Sequence, residues 1–376
     1  MARRRSPTLS ALPPLSIGRS DAGQQAEVGT IGRCKTRTPH ELDGRDLGVR
    51  YVLEGSLRKA GDRVRVGVQL IEAETSGHIW AERYDRRLED IFALQDEITL
   101  SVIGAIEPSL RDAEIERVKR KRPENLDAYD LVLRAFPHTY VAMPEEAIKA
   151  LPLLEEALKL EQGYASAHAM LAWSHQVLFM RAGYKEEHRA AAINHARAAI
   201  DLGRDDATAL GIGAFVIGLL AFDRSSALQA FERAHALSPS SSLALLFGSI
   251  ILAYIGEEGR AIDWAKRALR VSPFDRLAFI PQHAIAIAHF VRGQYEEAAQ
   301  AAHLAVQLNP SLSVTQSFLV AALAKLGRLE EAKLGAKQVL ALQPSFRVDK
   351  FCASIDMTPT LAATLTEAWR EVGLPS

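Results

Sequence analysis

Four segments of the chain share one spelling: ALQAFERAHALSP (227–239), AIDWAKRALRVSP (261–273), AAQAAHLAVQLNP (298–310) and AKLGAKQVLALQP (332–344). In each, an Ala is followed seven positions on by Ala or Val, and five further on by Pro. Successive prolines stand 34, 37 and 34 residues apart. Five residues before the leading Ala stands a Gly in three of the four, Gly256, Gly293 and Gly327. A period near 34 implies one helix–turn–helix unit per repeat. Positions seven apart share a helix face, and a small side chain at both lets a second helix approach closely. In the first segment Leu228, Phe231 and Leu237 keep helical spacing and are expected to form its apolar face. The Gly lets the backbone turn between the two helices of a unit. The Pro stops the second helix, because it lacks an N–H and restricts the residue before it. One hairpin cannot bury its own apolar face, so such units must stack.

This spelling resembles the tetratricopeptide repeat. Two looser units precede the clear ones, with Ala150, Ala157 and Gln162 in the Ala, Ala, Pro places of the first and Ala191, Ala198 and Gly203 in those of the second. Their spacing implies an insertion around Phe179–Glu187. Residues 121–345 are therefore expected to be a solenoid. In the segment 346–376 a helix over about 359–372, polar at Glu367 and Arg370, is expected to cap the stack.

Upstream the period changes from 3.6 to 2. RYVLEGSLRK (50–59) alternates, AGD (60–62) signals a turn, and RVRVGVQLIEA (63–73) alternates again. There Val64, Val66, Val68 and Leu70 fall on one side, and Arg63, Arg65, Gly67 and Gln69 on the other. A β-hairpin with one buried face follows. HIWAERYDR (78–86) reads as a third strand, and Leu88–Arg120 turns helical with Pro108 breaking it. The basic cluster at Arg117 and Lys119–Arg122 closes the helix, where cations suit its dipole.

The phrases YVLEGS, GHIWAERYDR and DIFALQDEIT within 51–99 resemble the second half of the TolB-N-terminal-like domain of bacterial multidomain regulators. RPENLDAYDLVLRA (122–135) resembles the start of the repeat array in those proteins. The resemblance covers about 46–345 and implies a small α/β domain, 46–120, followed by tetratricopeptide repeats. It also implies a class III adenylate/guanylate cyclase domain, or a DNA-binding domain, at the family's N-terminus. Residues 1–45 match neither, nor the missing first half of the α/β domain, so the chain reads as a truncated or frame-shifted copy. The expected fold class is mainly α: a repeat solenoid preceded by a small, incomplete α/β domain.

Residues 1–45, rich in Pro, Gly, Ser, Arg and Thr, keep no period and read as disordered, with Arg3–Arg5 part of a solvated tail. The start lacks the apolar run of a secretory signal. The longest apolar runs, Ala207–Phe222 and Leu243–Ile255, are too short for a bilayer and stand where the register wants first helices. A net charge of −1 argues against nucleic acid as the partner. Two distant cysteines, Cys34 and Cys352, suit a reducing, cytoplasmic setting.

No phosphate-binding glycine loop is spelled, and GIG (211–213) lies inside a helical pattern. His168/His175 and His188/His195 sit seven apart, two turns along one face, too far for one metal without a third element. They are expected to face solvent or a groove, as is the pair His283/His289. Glu89, Asp90, Asp96 and Glu97 follow Arg86 and Arg87 and read as charges matching a helix dipole rather than a catalytic pair. No catalytic residue, metal ligand or cofactor site is expected.

The repeats point to binding. First helices at about 279–292 and 313–326 should line the inner side of the solenoid, with Ile280, Ala284, Ile287, Phe290, Val314, Ser317, Ala321 and Lys325 towards a groove. These small and apolar residues suit an apolar helix or an extended segment of a protein or peptide partner; packing within the array would use the same residues. The expected role is a non-catalytic interaction module like the regulatory region of a bacterial adenylate cyclase-type signalling protein. The alternatives are a fragment of the cyclase itself, or the regulatory part of a transcription regulator.

Overall fold

The structure, a computed structural model, describes residues 50–87, 102, 106, 109–122, 126–272 and 275–376. The tail 1–45, Cys34, the carboxylates Glu89, Asp90, Asp96 and Glu97, Pro108 and Pro273 lie outside the described residues. The chain forms two compact units, one ending at Ala113 and one running from Glu114 to Ser376.

The first unit contains an antiparallel sheet in the order β1 (Tyr51–Ala60), β2 (Arg63–Glu72), β3 (Gly77–Arg87). Ala60 pairs with Arg63, so Gly61 and Asp62 make a two-residue turn, with Gly61 at φ +61°. Alternation works as written near the start of β2: Val64 is buried, while Arg63 and Arg65 on the other face both bond Asp85 of β3, at 3.0 Å and 2.7 Å. It fails at the far end. The β2–β3 register shifts between Leu70 and Ile71, and both side chains are buried. Such a shift re-aims one residue. Tyr51 and Leu70 pack with Ile106 and Leu110 in a small core.

The second unit is a stack of helical hairpins. In chain order they are α1 (Ala128–Tyr140) with α2 (Pro144–Leu160), α3 (Ala165–Arg181) with α4 (Glu186–Leu202), and α5 (Ala207–Val216) with α6 (Arg224–Leu237). Then come α7 (Ser242–Tyr254) with α8 (Glu258–Val271), α9 (Phe279–Val291) with α10 (Tyr295–Leu308), and α11 (Ser313–Lys325) with α12 (Leu329–Leu342). The close crossings are where the spelling puts them: Ala234, Ala268 and Ala305 are 0%, 3% and 0% exposed. Ser238, Asn309 and Gln343, each before its proline, hold φ near −144° and leave the helix there. The two long apolar runs become α5 and α7, buried along their length, with α5 continuing into a π-turn over Ile217–Ala221.

Two local expectations are corrected. In α4 the buried small residues are Ala192, Ala196 and Ala199, one position later than Ala191 and Ala198. Both α3 and α4 are 17 residues long, so the extra residues lengthen the helices themselves and shift the register. In α6 the buried face is Ala227, Ala230, Phe231 and Ala234; Leu228 is half-buried, and Leu237, the last residue of the helix, is 49% exposed.

A buried ionic knot joins the segment before α1 to α1. Arg117 bonds Glu114 at 2.8 Å and Asp130 at 3.2 Å, and Lys121 also reaches Asp130. Asp127 and Asp130 form a reciprocal capping box at the start of α1. So Arg117 and Lys121, like Lys119 with Glu116 at the surface, are ion-pair partners and not only dipole charges.

After α12 the chain folds back. Short α13 (Val348–Ser354) leads to α14 (Pro359–Glu371), which packs on α11, an inner first helix. Trp369 is 0% exposed, meets Phe318, Phe346 and Phe351 edge-on, and donates its indole N–H to Ser317 O at 2.7 Å. The polar side expected of this helix is used: Glu367 pairs with Lys325 and Arg370 with Asp349.

Candidate functional site: the inner cavity of the repeat array

The first helices of successive hairpins pack on one another, so their inner faces converge. Between α3, α5, α7 and α9 they leave a cavity of about 100 Å³. Its walls are apolar and aromatic, from Trp173, Phe215, Phe247, Tyr254 and Phe279, and Ile355 of the returning tail closes one side. Gln176, Leu312 and Val314 also line it and are only half-buried, so they mark its mouth.

Two polar side chains break the apolar wall. Arg181 is 7% exposed. Its guanidinium donates to Ala142 O at 2.7 Å and to Ser311 O at 2.7 Å, tying together turns 169 positions apart in sequence number. Its Nε has no partner and no carboxylate is hydrogen-bonded to it. Burial pulls the guanidinium down to about 10, so it stays a cation at neutral pH. His283, 4% exposed, packs edge-on against Phe318, and neither ring nitrogen has a partner. Burial lowers it to about 3, so it is a neutral imidazole with one N–H to give. No Asp or Glu lines the cavity.

Of the groove residues read from the sequence, Ile280 and Val314 line this cavity. Ala284, Ile287 and Ala321 are 0% exposed, and Phe290 is closed in by Tyr295 and Phe318. Ser317 is buried under α14 through its carbonyl bond to Trp369, and Lys325 is held by Glu367. These six pack within the array and its tail. Arg181 was missed because it ends an apolar helix with ordinary spelling; what singles it out is three-dimensional. His283 and His289 part company: His289 bonds Gln294 at the surface.

The other histidines also pair differently from their spacing. Across α3 and α4, His168 Nδ1 lies 2.9 Å from His195 Nδ1, and His175 Nδ1 lies 3.0 Å from His188 Nδ1. His175 and His195 stack at 6.0 Å. Each close pair needs one ring protonated at Nδ1 and its partner at Nε2. Burial, then the neighbouring histidine, lowers His175 to about 4, and burial lowers His195 to about 4 ahead of His168 and His175. Among the described residues no group of three or more His, Cys, Asp or Glu is placed to hold a metal ion. No helix among them is long and apolar enough to cross a membrane.

No protein-family model matches the chain. Over 128 residues, 34% of its length, it is 44% identical to the protein of Rhizobium meliloti (strain 1021) named Putative adenylate cyclase 3. The match takes in 22% of that protein, so the chain spans about a fifth of its length. Among solved structures, an IFIT1 monomeric mutant with Gppp-AAAA is similar at a TM-score of 0.48 and 14% identity, over 64% of this chain and 56% of that one. Pseudomonas aeruginosa pilF gives 0.38 and 18%, over 64% and 94%. The type IV pilus biogenesis factor PilW gives 0.39 and 20%, over 55% and 92%. The class defined by the architecture itself is a helical-hairpin repeat protein with a small antiparallel sheet ahead of it.

Proposed function

We propose that this chain acts by binding a protein or peptide, as a non-catalytic regulatory region of an adenylate cyclase-type signalling protein. The observation that carries the reading is how the array holds its own tail. Asp356 N donates to Leu219 O at 3.1 Å and Thr358 N to Tyr254 O at 2.9 Å, so an extended segment is held by its main chain on the ends of inner helices. Arg224 grips the Asp356 carboxylate with two bonds, 2.6 Å and 2.7 Å. Main-chain bonds plus one charged anchor are a general means of peptide capture. The 44% match to an adenylate cyclase-named protein supplies the setting. The TolB-N-terminal-like reading of 51–99 agrees with three strands in sequence order.

The test has two arms. The full chain alone, given ATP and manganese, is expected to make no cyclic AMP; turnover would overturn the non-catalytic reading. Titrated into the remainder of the Rhizobium meliloti protein, it is expected to bind saturably and change cyclase rate. Calorimetry showing no binding there would remove the regulatory assignment.

A further inference from the structure

We propose that the inner cavity is a binding site for a small monocarboxylate with an apolar body, a short-chain acid of about four to six carbons. The shape sets the size: a dry cavity of about 150 Å³ holds benzene, so about 100 Å³ encloses roughly four carbons and leaves the rest at the mouth. The wall sets the body, since the rings of Phe215, Phe247 and Phe279 offer no hydrogen bonds to a polar one.

The two polar groups set the head. Arg181 is a buried cation whose Nε is unpartnered and whose other bonds go to neutral carbonyls and a thioether. Glu145 acts on this charge only through space, with no hydrogen bond to it; a buried donor without an acceptor is costly, and a hydrogen-bonded anion relieves it. Guanidinium and carboxylate form the stronger, charge-assisted bond. His283 adds one N–H from a neutral ring, enough for the second carboxylate oxygen and not for another charge. A dianionic phosphate would bring two negative charges to one guanidinium that already feels Glu145, so the single charge of a carboxylate fits better. This inference needs no protein partner and stands apart from the reading above.

Calorimetry on the full chain with acetate, propanoate, butanoate, pentanoate and hexanoate tests it. Saturable one-to-one binding is expected, tightening about fourfold per methylene while carbons still enter the cavity. Hexanamide, equal in size and uncharged, should bind at least tenfold more weakly. Val314→Trp at the half-buried mouth should abolish binding while leaving the circular dichroism and melting temperature unchanged. His283→Phe should weaken it about tenfold and retain the methylene trend. Arg181→Gln is kept as a secondary variant, since that side chain also ties Ala142 to Ser311. No heat with any acid would overturn the proposal, as would hexanamide binding as tightly as hexanoate or Val314→Trp binding normally.

Discussion

The first three hairpins and the last three solve the same turn in two ways. In the last three every first helix has 13 residues and every second helix 14. Each turn between them carries a glycine in the left-handed region: Gly256 at φ +84°, Gly293 at +72° and Gly327 at +73°. In the first three hairpins the left-handed place is held by Ala142 at +52°, Tyr184 at +58°, just after Gly183, and Phe222 at +57°. A residue with a Cβ costs about 1–2 kcal/mol there. In each case the residue is held from outside. The Ala142 carbonyl accepts from Arg181, the Tyr184 ring meets Phe179 edge-on at 5.8 Å, and the Phe222 ring lies 5.3 Å from the Arg189 guanidinium. Regular units let local sequence make the turn. Irregular ones spend side-chain contacts on it, and the cavity lies where the two kinds meet, lined about equally by both.

The largest expected effect lies where the regular half meets the tail. Trp369→Ala removes a fully buried ring and the bond to Ser317, and should cost about 3–5 kcal/mol in urea unfolding. A cost near 1 kcal/mol would mean that α14 is a loose flap. Next come the crossings. Ala305→Leu forces a branched side chain between touching helices and should cost about 1–3 kcal/mol. Leu237→Ala, at an exposed site, should stay within about 0.5 kcal/mol. Equal costs for these two would undo the claim that small residues set the helix spacing.

How far the sequence could be read follows the same division. The alanine–proline spelling located α6, α8, α10 and α12 because each residue acts on its own helix: Ala by size, Pro by its missing N–H. The sheet was legible because alternation is local too, up to Leu70, where a register shift depends on the facing strand. The candidate site was mostly illegible. Of eight groove residues two line the cavity, because which inner positions stay open depends on a tail that returns over α11 from far along the chain. Arg181 and His283 matter through buried nitrogens left without a partner, and no spacing records that.

The histidine pairs give the irregular half a pH dependence of its own, beside that of the single buried His283 in the regular half. His175 and His195, each near 4 when folded against 6.5 when free, bind fewer protons folded than unfolded between those values. Their effect is nil above pH 6.5; stability falls as pH drops from 6.5 towards 4. Urea midpoints should decline over that window. His175→Leu with His195→Leu should flatten the decline, leaving the residual slope of groups such as His168 and His283, also lowered by burial. An unchanged slope would place the acid sensitivity elsewhere.

The smallest effects sharpen the comparison most. At Gly293 an added Cβ would meet no atom within 4 Å, so Gly293→Ala tests backbone strain with no steric term. It should cost about 1 kcal/mol. Phe222→Gly is the reverse experiment: it relieves about the same strain and loses the ring's contact with Arg189, about 0.5–1 kcal/mol at an exposed site. The two should nearly cancel. In Phe222→Gly with Arg189→Gln, where the ring's partner is already gone, the glycine should then stabilise by close to 1 kcal/mol relative to Arg189→Gln alone. If the glycine gives the same change in both backgrounds, the ring–guanidinium contact does not hold the turn, and the irregular half is bent by something other than the contacts at its left-handed residues.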